Sequence, residues 1–356
     1  MKTLLVCPAL FASHGGIERI LRLYLKALCE LAAPADRVAL AVLNDAALTP
    51  AQVAPFATRA LARVSAAGKS RIRFILRTLL LARGADRLVC GHIGQLSVAL
   101  LARKLNPRLR YYLVAHGIEV WRQFTTLEQA ALRGAHRILC VSDFTRREVL
   151  SRLRLAPERA VVLPNALDPA FTIAAGRPLA DSPPVILCVT RLLFADRYKG
   201  VENLIAALPA VRASIPDAVL RIVGHGDDVA RLTALRDQLG LGPAVEFTGF
   251  VDDRRLEGEL RGCRLFALPS TREGFGLVFL EAMARGRPCL AARAGGAPEV
   301  LTPETGILVA ADDSPALARG LVDGLRRHWD EERILARARE FSYSPFKSKL
   351  ASLLAA

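Results

Sequence analysis

Short continuous apolar runs alternate along this chain with longer segments in which apolar residues recur at helical spacing. The first kind reads as strands buried on both faces and the second as amphipathic helices, the pattern of parallel α/β sheets. In the first half the pattern predicts strands at Thr3–Pro8, Arg37–Leu43, Leu88–Cys90, Arg110–Ala115, Arg137–Val141 and Ala160–Leu163. Helices such as Ile17–Leu31 and Asp143–Leu153 fall between them. The pattern restarts with strands at Val185–Thr190, Ala218–Gly224, Ala244–Thr248, Leu265–Pro269, Pro288–Ala292 and Gly306–Val309. From Asn165 to Pro184 the chain is rich in Pro, Gly, Asp and Ala and lacks any period, which reads as a linker. The expected organisation is a Rossmann-like domain over 1–165, a linker over 166–184, a second Rossmann-like domain over 185–340 and a closing segment over 341–356. Two such halves facing across a cleft would place a ligand at the carboxyl ends of the strands.

A length of 356 residues exceeds what one compact core serves, in keeping with two domains. Seven cysteines (Cys7, Cys29, Cys90, Cys140, Cys188, Cys263, Cys289) are scattered without a C-x-x-C pair, as buried reduced thiols of a cytoplasmic protein would be. Met1–Leu10 has too short an apolar run and no convincing cleavage site for a secretory signal, so it reads as a first strand. The nearest approach to a membrane span, Leu88–Ala102, is short and holds Gly91, His92 and Gln95.

Charge changes this picture. The net charge is +15, and from Arg59 to Arg110 the cations Arg59, Arg63, Lys69, Arg71, Arg73, Arg77, Arg83, Arg87, Arg103, Lys104, Arg108 and Arg110 meet one acid, Asp86. Ile72, Phe74, Ile75, Leu76, Leu79, Leu80 and Leu81 interleave with them. A basic, apolar segment of this kind suits an anionic membrane surface, and a peripheral location on the inner face of the membrane. Nucleic acid would also answer the charge, but aromatics are sparse and no binding module stands out. An ordinary core helix in an Arg-rich chain is the plainer alternative.

The densest candidate chemistry lies between Pro269 and Leu301. Glu273 precedes, and Glu281 follows, a Gly-Phe-Gly turn that leads into an apolar helix beginning near Gly276. A helix start offers free amides and the positive end of its dipole to an anion, and the flanking carboxylates offer acceptors to hydroxyls. Spacing alone also fits two unrelated surface acids. Gly15-Gly16 after the first strand, His116 after Tyr111–Ala115, and Arg191 and Lys199 after Val185–Thr190 occupy further strand ends. No Asp-x-Asp motif and no ligand-spaced His/Cys/carboxylate cluster marks a metal site.

Pro269-Ser270, Glu273-Gly274-Phe275-Gly276, Glu281-Ala282-Met283-Ala284, Gly286, Pro288 and Gly295-Gly296 followed by Glu299 resemble the donor-site signature of the family-four retaining glycosyltransferases, group 1 enzymes of GT-B fold. The resemblance implies that Glu281 holds ribose hydroxyls, that Glu273 contacts the transferred sugar, and that the amides of Gly276 and Leu277, beside Phe275, bind the diphosphate. It implies further that Arg191 and Lys199 neutralise the leaving diphosphate, that Gly15-Gly16 let a loop approach it, and that His116 meets the sugar. Gly249, Phe250 and Val251 resemble the segment that holds the base. The signature departs at Ala166, where Gly is usual. The implied activity is metal-independent, retaining hexosyl transfer, without a cofactor, from a UDP- or GDP-sugar to a glycan or lipid-linked acceptor in cell-surface polysaccharide synthesis. Alternatives are a sugar-nucleotide epimerase on the same architecture, or a non-catalytic basic protein that binds membrane or nucleic acid.

Overall fold

A computed structural model describes residues 1–13, 15–176 and 178–355. The chain divides into two compact units, Met1–Asp168 with Tyr343–Ala356, and Pro169–Ser342.

The first unit is built on a parallel sheet of β1 Lys2–Cys7, β2 Arg37–Val42, β3 Leu61–Ala66, β4 Arg87–Cys90, β5 Arg110–Ala115, β6 Arg137–Cys140 and β7 Ala160–Val162. The order is β3-β2-β1-β4-β5-β6-β7, so the winding reverses between β1 and β4. β5 is buried along Tyr111–Ala115 because both its faces are covered, which is why it reads as a continuous apolar run. β3 is the strand that periodicity does not predict. It lies at the sheet edge, and its Ala62, Arg63 and Val64 are exposed, so it carries no core-facing signature. The helix Tyr343–Ala355 belongs to this unit: Phe346 meets the Tyr24 ring edge-on at 5.2 Å, and the Tyr343 hydroxyl donates to Glu30 at 3.0 Å.

The second unit has β8 Val185–Val189, β9 Val219–Val223, β10 Val245–Gly249, β11 Leu265–Leu268, β12 Cys289–Ala292 and β13 Gly306–Val309, all parallel. Their order is β10-β9-β8-β11-β12-β13, with the reversal between β8 and β11. Residues from Pro169 onward pack with this unit, although the sequence reads 166–184 as a linker. Two arginines account for it. Arg285, 1% exposed, donates to the Thr172 carbonyl and to Glu257 at 2.7 Å, and lies over the Phe171 ring at 4.1 Å. Arg287, wholly buried, reaches Ser182 Oγ at 3.3 Å and Glu331 at 3.2 Å.

The helix Arg71–Ala82 sorts its apolar residues into two sets. Phe74, Thr78 and Ala82 face the core, while Ile72, Leu76 and Leu80 are 59–74% exposed. That second set recurs every fourth residue, a single stripe along the helix, and Arg73 and Arg77 are exposed on the same helix. Among the described residues no helix is long and apolar enough to cross a membrane.

Candidate functional site

In an open α/β sheet the crevice for a ligand opens where the winding reverses, because the loops leaving the two central strands turn to opposite faces. In the second unit these loops follow β8 and β11. They carry the residues singled out from sequence: Arg191 and Lys199 after β8, Glu273 and Gly276 after β11. Lys199 Nζ donates to Glu273 Oε2 at 2.8 Å, with the two side chains only 17% and 14% exposed. The Thr271 amide donates to the Tyr198 carbonyl at 2.8 Å and ties the loops together beside the pair. Burial alone would lower the Lys199 ammonium; the Glu273 carboxylate outweighs it, helped by Tyr198 and Asp196, and the net shift is upward. Lys199 is therefore a fixed cation. Arg191 differs: it is 66% exposed and pairs with Asp196 at 2.9 Å, so the two cations have separate carboxylate partners.

Glycines shape this edge. Gly200 (φ +73°) precedes the helix Val201–Ser214, and a Cβ there would stand 2.7 Å from the Pro269 carbonyl. Gly295 (φ +59°) lies against Glu273: a Cβ would fall 2.1 Å from the Glu273 carbonyl oxygen, which accepts the Gly296 amide at 2.7 Å. The Gly295-Gly296 pair thus fixes the backbone that carries Glu273. Gly276 (φ +91°) caps the short helix Leu277–Met283, and no side chain caps its first amides. Glu281, a turn inside, is 8% exposed, so the reading of it as a solvated surface acid fails. Phe275 is buried and meets the Phe341 ring at 5.5 Å, which leaves its backbone as what it can offer a ligand.

The neighbouring strand ends complete the edge. The Gly224 amide donates to the Gly249 carbonyl at 3.0 Å, and Leu192 donates to His225 at 2.9 Å, lacing together the loops after β8, β9 and β10. Gly249 has φ +72°; the exposed Phe250 that follows meets His225 edge-on at 5.7 Å, and Val251 is half-buried.

In the first unit the reversal lies between β1 and β4. Gly15-Gly16 follow β1, with Gly15 capping the helix Gly16–Glu30. Glu18 folds back beside Gly15 and accepts from Ser13 Oγ at 2.6 Å. His116, after β5, is half-buried; its Nε2 lies 2.8 Å from the Gly91 carbonyl and its amide donates to Glu119 at 2.5 Å. His92 follows β4 itself, its ring centroid 6.4 Å from that of His116. The signal available was position at the reversal, visible only once strand order is known.

All seven cysteines are buried and free. Burial pushes the Cys90, Cys188 and Cys263 thiols up to about 12, so they are not nucleophiles at neutral pH.

Two protein families match the chain. Residues 14–171 match Glycosyltransferase Family 4 and residues 183–327 match Glycosyl transferases group 1. The chain is 39% identical over 150 residues to the GDP-mannose-dependent monoacylated alpha-(1-6)-phosphatidylinositol monomannoside mannosyltransferase of Corynebacterium glutamicum, covering 40% of this chain and 38% of that protein. It is 33% identical over 243 residues to the GDP-mannose-dependent alpha-(1-6)-phosphatidylinositol monomannoside mannosyltransferase of Mycolicibacterium smegmatis, covering 63% of this chain and 62% of that protein. The chain thus spans less than two thirds of either curated relative. Among solved structures, HepE of Anabaena in complex with UDP superposes with a TM-score of 0.78 at 22% identity, covering 100% of both chains. The apo lipopolysaccharide outer core galactosyltransferase WaaB superposes with a TM-score of 0.75 at 18% identity, covering 99% of both. These two likenesses concern the fold, and they agree with two parallel-sheet α/β units of GT-B type.

Proposed function

Because this chain belongs to the group 1 glycosyltransferases of family four, we propose that it transfers a hexose, with retention, from a UDP- or GDP-sugar to a hydroxyl of a membrane-associated acceptor. The observation that carries this reading is the Lys199–Glu273 pair at the β8/β11 reversal, set before the Gly276 helix start. The nucleoside diphosphate would lie there. Glu281 would take the ribose hydroxyls, the Gly276 and Leu277 amides the diphosphate, and Gly249, Phe250 and Val251 the base. In the first unit, Gly15-Gly16 and His116 would serve the transferred sugar.

As the bond from the anomeric carbon to the β-phosphate breaks, charge collects on the departing diphosphate. A fixed cation stabilises that charge without reorganising, a task that suits Lys199, while the exposed Arg191 can grip phosphate oxygens in bidentate fashion, so this reading calls for no metal. The acceptor oxygen then bonds to the anomeric carbon from the face the phosphate leaves. Its proton passes to a phosphate oxygen, so no protein nucleophile is required.

The similarity to GDP-mannose-dependent mannosyltransferases favours GDP-mannose and a phosphatidylinositol-type acceptor over other pairs. The stripe Ile72-Leu76-Leu80 with Arg71, Arg73 and Arg77 would bring the enzyme to an anionic membrane that holds such an acceptor. Incubation with GDP- and UDP-sugars and lipid acceptors in vesicles tests the activity. Transfer that is lost in the Arg191→Ala, Glu273→Ala double variant supports the assignment, and equal turnover by that variant rejects it. Turnover of the donor without any acceptor would instead favour the epimerase.

A further inference from the structure

The loop after β4 holds a second imidazole whose chemistry complements that of His116. Both tautomers follow from their partners. A carbonyl only accepts, so His116 Nε2, 2.8 Å from Gly91 O, carries the proton, and in the neutral ring Nδ1 is then an acceptor. An amide only donates, so His92 Nδ1, which accepts the Gly94 N–H at 3.0 Å, is unprotonated and Nε2 carries the hydrogen. The rings lie 22° from parallel with centroids 6.4 Å apart. Among the described residues neither His92 Nε2 nor His116 Nδ1 has a hydrogen-bond partner, and both residues are half-buried.

The backbone is shaped to hold this arrangement. Gly91 runs so close to β1 that a Cβ would meet Leu21 at 2.6 Å and the Val6 carbonyl at 3.0 Å, and its amide donates to Val6 at 2.7 Å. A Cβ at Gly94 would lie 3.2 Å from His92 Nδ1, the atom its amide must reach. One residue further on, Gln95 is 6% exposed and its Oε1 accepts no hydrogen bond, so this turn carries more polar capacity than packing uses. Burial, foremost, and the neighbouring His116 and Arg122 lower the His92 pKa against the pull of Glu119 and Glu18, which keeps the ring neutral as its cap bond requires.

We propose that His92 is a ligand-binding residue that, with His116, reads two neighbouring hydroxyls of a saccharide or cyclitol, His92 Nε2–H donating to one oxygen and His116 Nδ1 accepting from the other. The proposal rests on the transfer reading above for the presence of a polyol. Its place in the fold is independent of that reading, since the β1/β4 reversal is where a ligand of this unit belongs. The polyol is either the transferred sugar or the acceptor headgroup.

Two substitutions separate binding from the capping role His92 also plays. His92→Asn keeps an acceptor for the Gly94 amide, as Asn does at helix starts, and deletes the outward N–H. His92→Gln loses the cap but returns an amide N–H near the Nε2 position. Calorimetric titration of the full chain would use GDP-mannose against GDP, UDP-glucose against UDP, and glycerophosphoinositol. The expected result for His92→Asn is an unchanged thermal midpoint with affinity for one probe about three- to tenfold weaker, the loss of one neutral hydrogen bond. A weakened nucleotide sugar with unchanged free nucleotide identifies the transferred sugar as the ligand; weakened glycerophosphoinositol identifies the headgroup. His92→Gln is expected to melt earlier and bind like wild type. Wild-type affinities for every probe in His92→Asn overturn the proposal, as does failure of wild type to bind any of the polyols. Failure of GDP and UDP alone to bind wild type rejects the donor site, a separate result.

Discussion

Replacing Gly295 with alanine moves Glu273 without touching its side chain. At φ +59° an L-residue costs about 1–2 kcal/mol from its own Cβ. The new Cβ would also stand 2.1 Å from the Glu273 carbonyl oxygen and 3.0 Å from both its carbonyl carbon and its nitrogen. Contacts below 3.0 Å are not tolerated, so the Glu273 backbone must retreat by about 1 Å, a displacement that typically lowers a rate about a hundredfold when it falls on an oriented group. The retreat also lengthens the Gly296–Glu273 amide bond of 2.7 Å and misaligns the 2.8 Å pair with Lys199. Expected are a transfer rate about a hundredfold lower and a loss of about 2 kcal/mol in stability, which in a unit of this size lowers the melting point by about 4–8 °C. Gly258→Ala is the control, since a Cβ there meets nothing within 4 Å and the position is inside the helix Asp253–Gly262. It should gain up to about 1 kcal/mol and leave the rate unchanged. Initial rates with a nucleotide sugar and melting by calorimetry measure both variants. A Gly295→Ala protein with wild-type rate and midpoint would refute the argument that this loop positions Glu273.

Glu281→Ala should weaken GDP or UDP binding by about tenfold or more through loss of a buried acceptor, read by titration with the free nucleotide. Arg285→Ala removes the cation from the Phe171 ring and the donor from the Thr172 carbonyl, and should cost roughly 1–3 kcal/mol and expose residues near Thr172 to limited proteolysis; an unchanged digestion pattern would contradict it. Vesicle sedimentation should fall when Arg71, Arg73 and Arg77 are changed to Gln, and fall again when Leu76 joins them, since each surface cation contributes about 1 kcal/mol and an inserted Leu roughly 1.5–3 kcal/mol; unchanged sedimentation rejects the membrane face. The Arg122 guanidinium, 2.6 Å from Glu128 at a capping box, holds the Glu128 carboxyl down at about 2 from 4.5. A depressed carboxylate stabilises the fold above its unfolded value, and that contribution disappears as pH falls from 4.5 towards 2. Acid titration of Glu128→Gln should therefore lack this part of the wild-type loss.

Much of the fold was legible because buried parallel strands announce themselves as apolar runs, and β8 to β13 sit where periodicity put them. β3 was not, since an edge strand with Arg63 and Val64 in solvent has no buried face to leave a pattern. The segment read as a linker packs with the second unit from Pro169 onward for an electrostatic reason. The buried Arg285 and Arg287 draw Phe171, Thr172 and Ser182 onto the unit through contacts between residues about a hundred positions apart, which no local pattern encodes. Glu273, Gly276 and Glu281 were legible as a motif. The bond from Lys199 to Glu273 joins residues 74 apart and depends on strand order, which no local pattern encodes. The same holds for His92: a His after a short strand gains meaning only when that strand proves to flank the reversal.

The most direct test of the central claim is the anomeric configuration of the product formed from GDP-mannose, or from UDP-glucose, and a lipid acceptor in vesicles, read by the one-bond carbon–proton coupling of the new linkage. Retention requires an α-linked product from an α-linked donor, formed by wild type and abolished in the Arg191→Ala, Glu273→Ala double variant. A β-linked product, or the same yield from the double variant, would contradict it.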